Sequence, residues 1–236
     1  MPDALTLTVT DLVVHTPTTR RLRLGLDGLP FAFMAGQGVA IGVHGQPERR
    51  PYSIACAPED AREGDALEFL LRADAGGGLG RHLDGLVRGA HVDLEGPFGR
   101  FTLPAPLPDV PLLFLGGGTG IAPLRAMMRD ARVRGHAAPI HLVYSVRTLD
   151  DVAFADEWAT WSRDGLGEVG ITVTRPPGRK PADTSHRLDL EAIAPLVERS
   201  PGVLCFICGP PGFVHDLEQA LSHLGVRADR IRREGW

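Results

Sequence analysis

The first hundred residues alternate apolar and polar side chains with a period of two. The alternation runs through residues 5–10, 21–26, 67–72 and 92–94, and a short apolar run occupies residues 39–43. Glycine and proline residues separate these segments. Since a period of two is typical of strands that bury one face, the pattern predicts an N-terminal antiparallel Greek-key β-barrel.

The pattern changes after a proline-rich stretch at residues 103–111, LPAPLPDVP. Proline interrupts both sheet ladders and helices, so we place a linker there and divide the chain into residues 1–105 and 106–236. Beyond the linker, short apolar runs alternate with apolar residues at helical spacing. This order predicts an α/β doubly wound parallel-sheet domain, with strands at 112–115, 140–146, 171–174 and 204–208 and helices from residue 121 and at about 154–162, 189–198 and 213–223.

Composition and charge exclude several classes of protein. The 236 residues carry a net charge of −4, with 43% hydrophobic and 23% charged residues, which is globular and gives no basic surplus for nucleic acid. The sequence does not open with a signal peptide, and it has no apolar run long enough to span a bilayer. Three cysteines (Cys56, Cys205 and Cys208) fit a reducing compartment and are too few for a four-cysteine iron–sulfur site. We therefore expect a cytoplasmic protein with no metal and no membrane partner.

A glycine-rich turn between a strand and a helix is the strongest local signal. Residues 112–127 read LLFLGGGTGIAPLRAM, so an apolar strand runs into glycines that open a helix. Glycine lets the backbone approach a pyrophosphate closely, and the helix N-terminus offers free N–H groups. No lysine follows the glycines, which excludes a P-loop. The alternative is an ordinary glycine turn of an α/β protein.

Three further motifs are weak when taken singly. Residues 49–58 read RRPYSIACAP, which alone is a strand with a buried tyrosine. Residues 76–86 read GGGLGRHLDGL, and GPFGRF follows at 96–101. The glycines predict an anion site before a short helix at 79–86, and the alternative is that both segments are turns of the barrel. Residues 207–214, ICGPPGFV, place a cysteine at the end of the last predicted parallel strand. Such a cysteine can serve the chemistry of a site or be buried and inert.

Together and in this order, the four motifs resemble those of the ferredoxin–NADP reductase superfamily over nearly the whole chain. The resemblance implies that residues 1–105 bind FAD and residues 106–236 bind NAD(P). Arg50 would hold the FAD pyrophosphate, Tyr52 would pack on the flavin, and Ser53 would reach toward its N5 atom. The implied flavin-binding residues are Arg50, Pro51, Tyr52, Ser53, Arg72, Ala73, Gly77, Gly78, Leu79 and Gly80.

One position departs from the family pattern. Gly80 stands where the family usually has serine or threonine, so one hydroxyl is missing from the expected pyrophosphate site. The resemblance therefore leaves two alternatives open, FAD held less tightly or FMN in its place.

The resemblance also implies a nicotinamide-nucleotide site in the second half of the chain. Cys208 would lie beside the nicotinamide ring and Glu234 near the flavin, while Trp236 would stack on the flavin unless the C-terminus is a frayed tail. With Ser53, these three residues form the predicted catalytic set. The predicted binding residues on this side are Gly117, Gly118, Thr119, Gly120, Cys208, Gly209 and Pro210.

Arginines after two predicted strands favour NADPH over NADH. Arg147, Arg175 and Arg179 lie where a ribose 2′-phosphate would be bound, and guanidinium groups bind phosphate well. Asp150 and Asp151 nearby weaken this expectation, so NAD stays possible.

The predicted function is electron transfer from NADPH through flavin to a one-electron protein acceptor such as ferredoxin or flavodoxin. One alternative is the reductase component of an oxygenase system, whose iron–sulfur centre would then lie on another chain. A free-flavin reductase is another, and a non-catalytic flavin electron-transfer subunit is a third. An acidic acceptor would meet exposed arginines, for which the candidates are Arg81, Arg88, Arg230, Arg232 and Arg233.

Overall fold

The computed structural model describes residues 4–73, 76–175, 188 and 190–235. The chain forms two compact units. Residues 1–103 and 125–134 make the first, and residues 104–124 and 135–236 make the second. The predicted domain boundary between residues 105 and 106 stays a prediction. None of the helices in the described part of the chain is long and apolar enough to cross a membrane.

The first unit is built on an antiparallel sheet, which has six strands in the described ranges. The strands follow the spatial order β4-β3-β6-β1-β2-β5. A bridge between Ile54 and Phe69 joins the two ends of the sheet, so the predicted barrel is confirmed. The strands are β1 (Leu5–Thr16), β2 (Thr19–Gly25), β3 (Gly38–Val43), β4 (Arg50–Ser53), β5 (Ala66–Arg72) and β6 (His91–Phe98).

The apolar positions of the predicted alternation fill the inside of this barrel. Val9, Leu22, Leu24 and Phe69 are fully buried, whereas their neighbours Thr8, Thr10, Arg21 and Arg23 are half-buried or exposed. Because successive side chains of a strand point to opposite faces, the period of two assigns one set to the core.

One helix of this unit was not predicted, and one predicted helix is wrong. Helix α1 (Pro58–Glu63) is six residues long, too short to show a helical period; proline opens it and Asp60 accepts the Ala57 N–H at 2.9 Å. The helix predicted at 79–86 is only a 3-10 turn over Arg81–Leu83. Gly80 before it and Gly85 after it have φ of +83° and +68°, which cannot continue a right-handed helix.

The second unit contains a parallel sheet, with five strands among the described residues. The spatial order is β11-β10-β7-β8-β9. The chain runs outward from the centre through three strands and then returns to the other side, so the predicted doubly wound sheet is confirmed. The strands are β7 (Leu112–Gly117), β8 (Ile140–Val146), β9 (Glu168–Val173), β10 (Leu204–Gly209) and β11 (Ile231–Gly235), and the helices are α3 (Ala155–Arg163), α4 (Leu190–Glu198) and α5 (Pro211–His223). Helix α2 (Ile121–Val133) begins in this unit, and its residues from 125 onward are grouped with the first unit.

Strand β11 was not predicted from the sequence. The sequence analysis left two alternatives for the C-terminus, which were Trp236 stacked on the flavin or a frayed tail. Its sequence, IRREG, is polar and does not alternate. Among the described strands it pairs with β10 alone, and at this edge of the sheet its side chains are half-buried or exposed. Polar residues suit such an edge because it faces solvent.

A buried carboxylate ties three parts of the barrel together. Asp93 of β6 accepts hydrogen bonds from Thr6 Oγ1 at 2.9 Å, His44 Nδ1 at 2.7 Å, the Gly45 N–H at 3.2 Å and Arg49 Nη2 at 3.2 Å. Burial by itself would raise the pKa of Asp93, but the hydrogen bonds and the charge of His44 outweigh it and lower that pKa to about 2.

We expect Asp93→Asn to remove an acid-sensitive part of the barrel's stability. The folded pKa lies below the ordinary 3.8, so the contribution is complete above pH 4 or so and is lost as the pH falls toward about 2. Urea unfolding from pH 7 to pH 2 should show a lower unfolding free energy for Asp93→Asn at pH 7 and a shallower decline in acid. Glu63→Gln, at an exposed site, is the control and should behave as wild type. Equal acid slopes for wild type and Asp93→Asn would contradict this account.

Candidate functional site

The predicted flavin segment in the first unit lies on strand β4, which pairs with β3. Tyr52 and Ser53 are half-buried, while Pro51 and Arg50 are exposed. The Arg50 Nη2 atom is 2.9 Å from Glu48 Oε1. An exposed ion pair of this kind contributes little, so Arg50 can turn to a phosphate at small cost.

Tyr52 is bound to a histidine that the sequence analysis missed. The Tyr52 hydroxyl is 2.6 Å from His82 Nε2, and the two rings are stacked with centroids 5.8 Å apart. Burial raises the pKa of Tyr52 to about 12, against the opposing charge of Arg50, so the hydroxyl stays protonated. The bond brings the β4 motif to the glycine motif, because His82 follows Gly80 by two residues. Tyr52 and His82 are thirty residues apart and belong to no common periodic pattern, so the sequence contains no sign that they are in contact.

The glycine stretch lies beside a guanidinium group at a position where a side chain does not fit. Gly77 has φ of +83°, and a Cβ atom there would lie 2.5 Å from Arg20 Nη2. Arg20, a second residue that the sequence analysis missed, donates to the Gly77 carbonyl oxygen at 3.4 Å. A guanidinium beside glycine backbone fits the pyrophosphate of a flavin nucleotide.

The structure gives a reason for the departure at Gly80. Its φ of +83° is rarely adopted by any other residue, and a Cβ atom there would stand 3.4 Å from the His82 ring. A serine or threonine would therefore be strained at this position.

The remaining predicted flavin residues lie around this stretch. Gly78 is exposed and Leu79 is half-buried. Arg72, at the end of β5, is exposed, whereas Ala73 is buried and donates its N–H to the Thr18 carbonyl oxygen at 2.9 Å.

In the second unit, the predicted nucleotide residues gather at the carboxyl ends of β7 and β10. These neighbouring strands mark the point where the chain reverses its direction across the sheet, which is where open α/β sheets bind ligands. Gly118, Thr119 and Gly120 form a 3-10 turn that leads into α2. A Cβ atom on Gly120 would lie 2.2 Å from the Cys208 carbonyl oxygen, so only glycine allows this approach.

The end of β10 packs as closely against the end of β7. A Cβ atom on Gly209 would lie 3.2 Å from the Gly117 Cα atom. One on Gly117 would lie 3.2 Å from Pro210 Cδ and 3.1 Å from the Phe213 ring. These contacts keep the two backbone segments side by side.

Cys208 is a buried thiol paired with a carboxylate. Its side chain is fully buried, and its Sγ atom donates to Glu234 Oε2 at 4.0 Å across the β10–β11 register. Burial, and then the charge of Glu234, raise the pKa of Cys208 well above its usual range. The thiol is therefore neutral, which suits a positioning role better than attack by a thiolate.

Two of the three predicted phosphate-binding arginines are neighbours. The Arg175 N–H donates to the Arg147 carbonyl oxygen at 2.8 Å, and both residues are exposed at the carboxyl ends of β9 and β8. Asp151 is engaged in capping, since it accepts from the Thr148 N–H at 3.1 Å and from Thr148 Oγ1 at 2.8 Å. The other two predicted residues, Arg179 and Trp236, lie outside the described residues.

We expect Gly120→Ala to destabilise the second unit by about 1–3 kcal/mol, the usual cost of overpacking. The added methyl group would meet backbone atoms of Cys208 and Gly209, which cannot rotate away. Gly212→Ala is a matched control because a Cβ atom there has no atom within 4 Å. Thermal unfolding should show a lower midpoint for Gly120→Ala and almost none of that loss for Gly212→Ala. An unchanged midpoint for Gly120→Ala would show that this backbone contact is not made.

Comparison with protein families finds two matching models. Residues 5–103 match the oxidoreductase FAD-binding domain, and residues 114–219 match the oxidoreductase NAD-binding domain.

Relatives match along almost the whole chain. The reductase subunit of aromatic O-demethylase from an Amycolatopsis species is 34% identical over 98% of this chain and 68% of its own length. Ferredoxin–NADP reductase B of Sorangium cellulosum is 32% identical over 89% of this chain and 88% of its own. The reductase component of the naphthalene 1,2-dioxygenase system of Pseudomonas putida is 32% identical over 96% of this chain and 68% of its own.

Solved structures of reductases superpose on this chain. The crystal structure of the Amycolatopsis cytochrome P450 reductase GcoB superposes with a TM-score of 0.82 at 32% identity, over 98% of this chain and 70% of that one. The ferredoxin–NADP⁺ reductase of Plasmodium falciparum, at 15% identity, has the same fold with a TM-score of 0.76 over 99% and 96% of the two chains. The chain therefore belongs to the ferredoxin–NADP reductase family and is an NAD(P)H-dependent flavoprotein reductase whose cofactors are FAD and NAD(P).

Proposed function

We propose that this reductase draws electrons from NADPH and delivers them one at a time to a small redox protein of the ferredoxin or flavodoxin kind. The observation that carries the proposal is the carboxyl edge of the parallel sheet. The glycine turn after β7, the Cys208–Glu234 pair and the arginines after β8 and β9 all lie at this edge. It offers backbone N–H groups for a pyrophosphate and two guanidinium groups for a 2′-phosphate.

The residues of the first unit would hold the flavin. Arg50 and the glycines from Gly77 to Gly80 would bind its phosphates, and Tyr52 would bind by ring contact and by its hydroxyl. Bound flavin supplies the chemistry that the side chains lack, since it accepts a hydride and releases electrons singly. The neutral Cys208 thiol would occupy a small, dry position beside the nicotinamide and orient it.

The acceptor would be acidic at its point of contact. Arg81 and Arg88 are exposed on the first unit and can attract it. Arg233 is engaged with Glu218 at 2.7 Å, and the Arg232 guanidinium lies over the Phe206 ring, so these two candidates contribute less.

A second candidate is the reductase component of an oxygenase system. The observation that favours it is the names of the relatives, among which are reductase components of naphthalene 1,2-dioxygenase and propane 2-monooxygenase systems. The two candidates agree on the reductase and differ in the protein that finally receives the electrons.

Anaerobic reduction of the purified flavoprotein tests the proposal. We expect NADPH to bleach the flavin absorbance faster than NADH, the released flavin to be FAD, and added ferredoxin to restore the colour. Rapid turnover with free flavin alone would instead identify a flavin reductase. A flavin that neither nucleotide reduces would overturn the reductase proposal.

We expect Arg147→Ala and Arg175→Ala each to raise the KM for NADPH by about tenfold or more, as loss of a charge-assisted hydrogen bond does. The KM for NADH should change little, because NADH has no 2′-phosphate. Steady-state kinetics with both nucleotides measure the ratio, and Arg163→Ala, at an exposed arginine of α3, is the control. Equal losses with NADPH and NADH would exclude a 2′-phosphate site at these arginines.

A further inference from the structure

The buried imidazole of His82 is in contact with Tyr52, the tyrosine of the candidate flavin site. His82 is 2% exposed, and its Nε2 atom is 2.6 Å from the Tyr52 hydroxyl. Its ring is stacked on the Tyr52 ring at an interplanar angle of 18°. The mechanism above gives this histidine no role, although it is joined to both motifs of the site.

The surroundings decide which nitrogen of His82 carries the proton. Burial, and then the charge of Arg50, lower the pKa of His82, so the imidazole is neutral near pH 7 and has one donor and one acceptor nitrogen. The Nδ1 atom is buried and has no hydrogen-bond partner among the residues that the structure describes. A proton on Nδ1 would leave a buried N–H unpaired, which is costlier than a bare lone pair. The proton therefore belongs on Nε2, where it is donated to the Tyr52 oxygen.

This tautomer determines what Tyr52 can offer a ligand. Its oxygen receives the His82 proton, so its own proton is left for another acceptor. Tyr52 is only half-buried, and its pKa of about 12 keeps that proton in place. With the opposite tautomer, Tyr52 would give its proton to His82 and could only accept from a ligand.

We propose that His82 is a positioning residue of the flavin site, whose Nε2–H holds the Tyr52 hydroxyl as a hydrogen-bond donor toward an acceptor oxygen of the bound flavin nucleotide. The proposal rests on the flavin site described under the proposed function.

A double-mutant cycle on flavin affinity tests the coupling. His82→Phe keeps a stacked ring and removes the nitrogen atoms, and Tyr52→Phe removes the hydroxyl. We expect each variant to weaken FAD binding to the apoprotein by about tenfold, the effect of one hydrogen bond. The double variant should bind no more weakly than Tyr52→Phe alone, because His82 acts through that hydroxyl. His215→Phe, at an exposed site on α5, is the matched control and should bind as wild type.

The outcomes separate this proposal from the flavin site itself. Losses that multiply to about a hundredfold in the double variant would show independent roles and overturn the proposal. A loss with Tyr52→Phe and none with His82→Phe would overturn it while the flavin site stands. No loss with either single variant would show that the Tyr52 hydroxyl does not bind the flavin nucleotide and would overturn the proposal.

A second measurement does not depend on any variant folding well. In the FAD-loaded protein labelled with ¹⁵N in histidine, the two ring nitrogens of His82 have distinct shifts that identify the protonated one. We expect a proton on Nε2 and none on Nδ1. A proton on Nδ1, or on both nitrogens at pH 7, would overturn the proposal.

Discussion

The close approach of two backbone segments at the carboxyl ends of β7 and β10 is the constraint on which the nucleotide site depends. Gly120 lies against the Cys208 carbonyl group, where no Cβ atom fits, and Gly209 lies against Gly117. These contacts start α2 with its N–H groups at the switch point of the sheet and bury the Cys208 thiol in the same place. The parallel order of the strands then brings Arg147 and Arg175 to the same edge.

In the first unit, the candidate phosphate site is also a glycine turn, but the polar side chains near it come from other parts of the chain. Its glycine turn has no hydroxyl to offer, since the backbone at Gly80 is rarely compatible with a side chain. The polar side chains near the turn are Arg20, which donates to the Gly77 carbonyl oxygen, and His82, which shares a hydrogen bond with Tyr52.

Three titratable side chains at the two candidate sites share one electrostatic character, although Glu234 beside Cys208 carries a charge. Burial raises the pKa of Tyr52 and of Cys208 and lowers the pKa of His82, so all three are neutral near pH 7. The positive charge is left to arginines such as Arg50 and Arg147. Anionic nucleotides can therefore be bound by guanidinium and backbone N–H groups while these three side chains stay uncharged.

The sequence by itself determined the architecture and supplied the candidate residues of both sites. Alternation of period two predicted the barrel, apolar runs between helical periods predicted the parallel sheet, and the glycine motifs with Tyr52 and Cys208 predicted where nucleotides bind. Only the tertiary structure decided the features that rest on contacts between distant residues. These are strand β11, whose polar sequence pairs only because β10 lies beside it, and the hydrogen bond between the His82 ring and the Tyr52 hydroxyl. It also shortened the helix predicted at 79–86, because the positive φ angles of Gly80 and Gly85 are set by packing, which local periodicity does not encode.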